Sequence, residues 1–175
     1  MKLKVIAVDE TQVGALLDEF KMYASVPVEP ADSESDTLGP RDTMLMSFLR
    51  SALLRVQEYA DVALVQTTYQ LTTVVGEDHT VRLYPGGYVQ EVTDEEGNAI
   101  SGHYVSGDRI WLDARPGTVV KVTYTTQEVP ELSDTPLAPP EDLARLKPTV
   151  FRYATALYDG ETTEVLNGIL NEALC

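Results

Sequence analysis

Cysteine is nearly missing from this chain of 175 residues: the one thiol is Cys175. A single thiol cannot form a disulfide within one chain, so the fold must stand on burial and hydrogen bonding, as proteins of a reducing compartment do. At the last position a thiol has nothing to fix its geometry for catalysis. Histidine is also scarce. His79 and His103 are the two copies, and neither stands in a metal-ligand spacing. The sequence has no phosphate-cradling P-loop, no GxSxG and no GxGxxG. Basic residues are few, 13 against 28 acids, for a net charge of −15. Such a surface repels phosphate backbones and argues against tight nucleic-acid binding. No run approaches the ~20 apolar residues of a membrane span, and Val5–Val8 after two lysines is too short for a signal peptide. The expectation is a soluble cytoplasmic protein without a membrane contact, a catalytic residue, a metal or a cofactor.

What is present is a long amphipathic run. Residues 41–63 place Leu45, Phe48, Leu49, Ala52, Leu53, Val56, Tyr59, Ala60 and Ala63 on one helical face, with Ser47, Arg50, Ser51, Gln57, Glu58 and Asp61 largely opposite. Gly39-Pro40 precedes it, and proline suits a first helical turn. A helix of this length cannot bury its apolar stripe alone, so other helices must cover it. One candidate lies before it, at 10–24, with Asp9 or Thr11 as its cap and Val13, Leu16, Leu17 and Phe20 on one face. Two more follow at the far end. Leu146, Val150, Phe151, Ala154, Leu157 and Tyr158 share a face, but Pro148 costs ~3 kcal/mol inside a helix. The spacing therefore predicts a short turn at 141–146, a helix from about Pro148, and a stop at Asp159-Gly160. A last helix begins near 161–163 with Val165, Leu166, Ile169, Leu170, Ala173 and Leu174 as its stripe.

Between these segments the pattern changes. Residues 64–75 are rich in β-branched and aromatic types, and strands are expected again at 80–84, 88–93, 99–105, 109–113 and 118–126. Turn material separates them: Pro85-Gly86-Gly87, Asp94–Asn98, Ser106–Asp108 and Arg115–Gly117. Residues 2–8 read as a short strand or an extended arm. Trp111 lies mid-strand and is expected in this unit's core or at an interface. The chain thus reads as α+β: a helical core of residues 1–63 and 140–175, carrying an inserted antiparallel sheet or small barrel at 64–126. Residues 25–40 and 127–140, rich in proline and acids, read as flexible connections.

Two acidic clusters are the remaining candidates for chemistry. Glu29, Asp32, Glu34 and Asp36 could hold a cation, but they match no calcium-loop spacing and read first as a solvated loop. Asp94, Glu95 and Glu96 read first as a hairpin tip. Nine tyrosines against three phenylalanines and one tryptophan suit contact surfaces with polar edges. The residues describe a binding or assembly protein, not an enzyme.

The order of parts resembles the head–tail connector (adaptor) proteins of long-tailed double-stranded DNA bacteriophages and prophages, over roughly residues 8 to 174. The residues that carry the resemblance are Glu58-Tyr59 near the end of the long helix, Leu83-Tyr84-Pro85, and the hairpin Val89-Gln90-Glu91-Val92-Thr93-Asp94-Glu95-Glu96-Gly97. Tyr104-Val105, Arg109-Ile110-Trp111-Leu112, Val120-Lys121-Val122-Thr123-Tyr124 and Leu157-Tyr158-Asp159 follow in order. Both proline-rich connections are longer than that pattern. The resemblance implies a non-enzymatic virion protein of the neck, assembled in the host cytoplasm as a ring, usually of twelve copies. Such a ring sits below the portal protein, extends the channel for passing DNA and docks the stopper or tail-completion protein. It also implies that the last helix, through Val165, Leu166, Ile169, Leu170, Ala173 and Leu174, reaches the portal; ordinary packing within the chain is the alternative. Glu29, Asp32, Glu34 and Asp36 are then candidates to face the channel or a neighbouring subunit. Other virion joints (a stopper, a head-completion or a tail-terminator protein) are the nearest alternative, and a small acidic metal-dependent enzyme or a carbohydrate-binding module the alternatives of other classes.

Overall fold

A computed structural model describes residues 1–25, 39–127 and 141–173. The chain divides into two compact units, Met1–Asp9 with Asp61–Ala138 and Glu10–Ala60 with Pro139–Cys175. The first is the β unit and the second is helical.

Seven strands build the β unit: β1 (Lys2–Val8), β2 (Thr67–Val74), β3 (Thr80–Arg82), β4 (Tyr88–Asp94), β5 (His103–Ser106), β6 (Arg109–Leu112) and β7 (Val119–Thr125). They form two sheets, ordered β1-β2-β7-β4 and β3-β6-β5, and all pairings are antiparallel. Alternation sets the faces. In β7, Val120, Val122 and Tyr124 point inward and are fully buried, while Val119, Lys121 and Thr123 are only half-buried. Tyr69, Leu71, Val81, Leu83, Val92, Ile110 and Leu112 complete one core shared by the two sheets. Each such side chain contributes about 1.5–3 kcal/mol on burial. Where the chain enters and leaves the unit, Thr126 donates its amide to the Thr67 carbonyl at 3.0 Å and its hydroxyl to the Val65 carbonyl at 3.0 Å.

Residues 2–8 are therefore a strand of the large sheet. The sequence grouped them with the helices, but their backbone groups are matched by β2, and Leu3 and Val5 pack on the β core. The expected strand at 99–105 is shorter. Ala99 makes a lone bridge to Thr93, and the strand proper starts at His103. Trp111 is not in the core. Ile110 and Leu112 take the inward positions of β6, so Trp111 faces outward and is 41% exposed.

The helical unit contains α1 (Glu10–Gly14), α2 (Leu17–Tyr23), α3 (Pro40–Ala60), α4 (Glu141–Tyr158) and α5 (Thr163–Ala173). The expected helix at 10–24 is broken in two, because Leu16 turns its amide to the Val13 carbonyl (3.1 Å), a tighter turn than the α-helix makes. Val13, Leu16, Leu17 and Phe20 are nonetheless all buried. In α3, Leu45, Leu49, Ala52, Leu53 and Val56 are sealed from solvent. The helix ends at Ala60, three residues short of the expected Ala63, where Asp61 takes φ +55°. That left-handed conformation is one aspartate tolerates better than most residues.

Helix α4 runs straight through Pro148, contrary to the expected start there. Pro148 is exposed, so its ring meets solvent, while Leu143, Leu146, Val150, Phe151 and Ala154 form one unbroken buried face around it. Burial of that face outweighs the single lost backbone bond. Phe151 packs against both Phe20 and Tyr23, with ring centroids 5.6 Å apart in each pair. At the end of α4, Gly160 has φ +72°. The Glu161 amide bonds the Ala156 carbonyl (2.9 Å) and the Gly160 amide bonds the Leu157 carbonyl (3.2 Å). This is a Schellman stop, as the glycine predicts.

Candidate functional site

Helix α5 sorts the residues of the expected portal stripe into three groups. Ile169 and Leu170 are buried in the helical unit, 4% and 1% exposed. Leu166 and Ala173 are half-buried, and Val165 stands open at 43%. Leu174 lies outside the described residues. Tyr59 of α3 donates a hydrogen bond to Asn171, and Arg152 of α4 pairs with Glu172, so polar groups on two sides also fix α5. The stripe is thus shared between core packing and an accessible part nearer the start of the helix. Glu29, Asp32, Glu34 and Asp36 lie outside the described residues.

No grouping able to hold a metal emerges among the described residues, in that no three His, Cys, Asp or Glu side chains converge. Asp94, one of the acids weighed from the sequence, is engaged within its own hairpin. The Asp94 carboxylate accepts the Asn98 amide at 2.8 Å and Asn98 Nδ2 at 2.9 Å, which hold its pKa below the usual range and close the hairpin tip. Asp78 likewise accepts the Thr80 hydroxyl (2.7 Å) and amide (3.1 Å), and is lowered for the same reason. His79 is engaged through Nδ1 with the Ala114 carbonyl at 2.9 Å. Burial raises the carboxyls of Glu58 and Asp61, against the opposing pull of Arg55 and Arg82 respectively.

The accessible features are surfaces. On the outward face of the small sheet Tyr104 lies opposite Trp111, both well exposed. Arg82 bonds Asp108 (2.7 Å) and Asp61 (2.9 Å), and Arg109 lies 3.5 Å from Asp78, so the two cations of this face are already paired. A cleft of about 560 Å³ separates the start of β4, at Tyr88 and Val89, from Val105 of β5. Gly86, Gly87, Gly107, Asp108 and Thr126 complete its lining. No described helix is long and apolar enough to cross a membrane.

Sequence reasoning missed how the two edges of the large sheet are dressed. The register aligns Lys4 of β1, Gln70 of β2, Thr123 of β7 and Glu91 of β4 in one outward row. The signal was present in the alternation of Lys2-Leu3-Lys4-Val5, which marks one lysine face, but pairing order is not readable from a single strand.

No family model and no curated protein matches this chain. Solved structures do. A chain in the neck of an empty gene transfer agent (GTA) particle, computed with C6 symmetry, superposes with a TM-score of 0.61 at 18% identity, covering 99% of this chain and 95% of the other. A chain in the neck of the native GTA particle, computed with C12 symmetry, gives 0.58 at 18% identity over 99% and 94%. A chain in the virion of the native particle gives 0.57 at 20% identity over 91% and 84%. The chain therefore has the fold of chains found in the neck of the GTA particle.

Proposed function

We propose that this protein is a structural component of a phage-type virion neck, a head–tail adaptor that assembles as a ring beneath the portal. The observation that carries the reading is the likeness to a GTA neck chain across 99% of the residues. Two further features support it. The neck structures it resembles were computed with C6 and C12 symmetry, which suits a ring of twelve. A net charge of −15 suits a wall that lets DNA pass without holding it. The ring extends the DNA channel and offers its far side to the stopper or tail-completion protein. Val165 and Leu166, the accessible part of α5, meet the portal, and Glu29, Asp32, Glu34 and Asp36 face the channel or the neighbouring copy. The protein works in the virion after assembly in the host cytoplasm, and it catalyses nothing. Another joint of the same neck, such as a stopper, is the second reading, since the likeness is to chains of the neck as a whole.

Co-purification with the portal protein encoded in the same genome tests the proposal. A stable complex is expected, and Val165→Asp should remove it while leaving the helical unit folded. Two folded proteins that fail to associate would move the chain to another joint of the neck.

A further inference from the structure

We infer that copies of this protein join edge to edge, the β4 edge of one large sheet receiving β1 of the next, with Lys4 set against Glu91 of its neighbour. The inference rests on the ring reading above and supplies its subunit contact.

Four observations lead to it. Strands β1 and β4 are the two ends of the order β1-β2-β7-β4, so each has an edge that no other strand among the described residues pairs along its length. Three successive antiparallel pairings make β1 and β4 run in opposite directions. Copies related by rotation about an axis along the strands therefore bring β4 and the next β1 together antiparallel, head to tail, as a closed ring requires. The rows then match. The row Lys4–Gln70–Thr123–Glu91 ends in opposite charges, and the inward row beside it, Val5–Tyr69–Tyr124–Val89, ends in two valines that the unit leaves only half-buried. Continuing each row into the next copy puts Lys4 opposite Glu91 and Val5 opposite Val89. Among the described residues Lys2 and Lys4 have no ion-pair partner, whereas Arg82 and Arg109 do.

The available length is also defined. Val92 accepts the Ile100 amide (2.9 Å) and Asp94 donates to the Asn98 carbonyl (2.9 Å), so the chain's own hairpin covers β4 beyond Val92. What stays open among the described residues is Tyr88–Glu91, beside the cleft of about 560 Å³. It is the stretch that Lys4–Ala7 of a second copy would cover. Edge lysines and bulges, here the register shifts at Ile6 and Gln90, also serve to prevent strand pairing. That opposite role is the outcome that the experiment below separates.

In a Cys175→Ser background, Lys4→Cys and Glu91→Cys are prepared singly and together and oxidised, alone and in the presence of the portal protein. Native mass spectrometry reports assembly and non-reducing gels report links. Opposed residues on an antiparallel pair lie within disulfide reach. The mixture of single variants should give linked dimers, each single variant alone should stay unlinked, and the double variant should give a ladder up to the closed ring. Without cysteines, Lys4→Glu should weaken association about fivefold per contact, and adding Glu91→Lys should restore it. Assembly without the Lys4–Glu91 link overturns the edge contact and leaves the ring standing. Links between like positions also overturn it. Protein that stays monomeric under every condition overturns the contact and the ring together, and gives the edge lysines a protective role.

Discussion

Helix α5 is where packing and function meet, and its residues should separate under substitution. Ile169 and Leu170 are buried, while Val165, one turn away on the same stripe, keeps 43% of its surface. Truncating Ile169 to alanine removes buried methylenes and leaves a void, at a cost of about 2–5 kcal/mol. Truncating Val165 loses little burial and replaces a β-branched residue by the best helix former, so the change stays within about 0.5 kcal/mol. With a urea slope of about 1–3 kcal/mol per M, Ile169→Ala should lower the unfolding midpoint of the helical unit by about 1 M or more, and Val165→Ala should leave it in place. Circular dichroism at the helical minimum is the assay. The fluorescence of Trp111 belongs to the β unit and follows that unit by itself. Aspartate sharpens the contrast. At Ile169 it would bury an unpaired charge and unfold the unit. At Val165, in the first turn of α5, it meets the favourable end of the helix dipole and is tolerated. Equal midpoint losses for Ile169→Ala and Val165→Ala would refute the docking of α5. A folded Val165→Asp protein that still binds the portal would refute the portal-facing role of this helix.

Three further substitutions probe the fold. Pro148→Ala restores an amide donor inside α4 at an exposed position, and should stabilise the helical unit by about 1–3 kcal/mol in urea unfolding; no gain would mean that the helix is already distorted there. Gly160→Ala places a side chain at φ +72° and should cost about 1 kcal/mol, whereas an unchanged midpoint would contradict the Schellman stop. Glu58→Gln tests the raised carboxyl. The folded state holds the Glu58 proton more tightly than the unfolded chain, so the contribution of Glu58 is present below the ordinary glutamate pKa, ~4.3, and is lost as pH rises through its raised value. The glutamine variant should accordingly be more stable than the parent at pH 7, with the gain shrinking towards pH 4. A gain that grows on acidification would reverse the assignment.

Most of the fold could be read from the sequence because its signals are local. Apolar spacing marked the buried faces of α2, α3 and α4, and Gly160 marked the stop of α4. The failures share a physical cause. Pro148 was assigned to a helix start by its missing donor, but the donor loss is one bond against the burial of a whole face. Of the two places expected for Trp111, the core is excluded, because the alternation Arg109-Ile110-Trp111-Leu112 gives the inward positions to its neighbours. Residues 2–8 were put with the helices because only pairing with a strand some sixty residues away shows where they belong. The candidate site was less legible. The apolar stripe of α5 was visible, but its division into buried and open residues depends on α3 and α4. The matched edges of the large sheet depend on strand order, which no single stretch of sequence contains.

Electron-microscopic imaging of the chain in complex with its portal protein decides whether the protein is a ring-forming adaptor. A closed ring on one side of the portal is expected, coaxial with the channel, in which the large sheets run edge to edge around the ring. A complex in which isolated copies decorate the portal without touching one another, or no complex between two folded proteins, would contradict it.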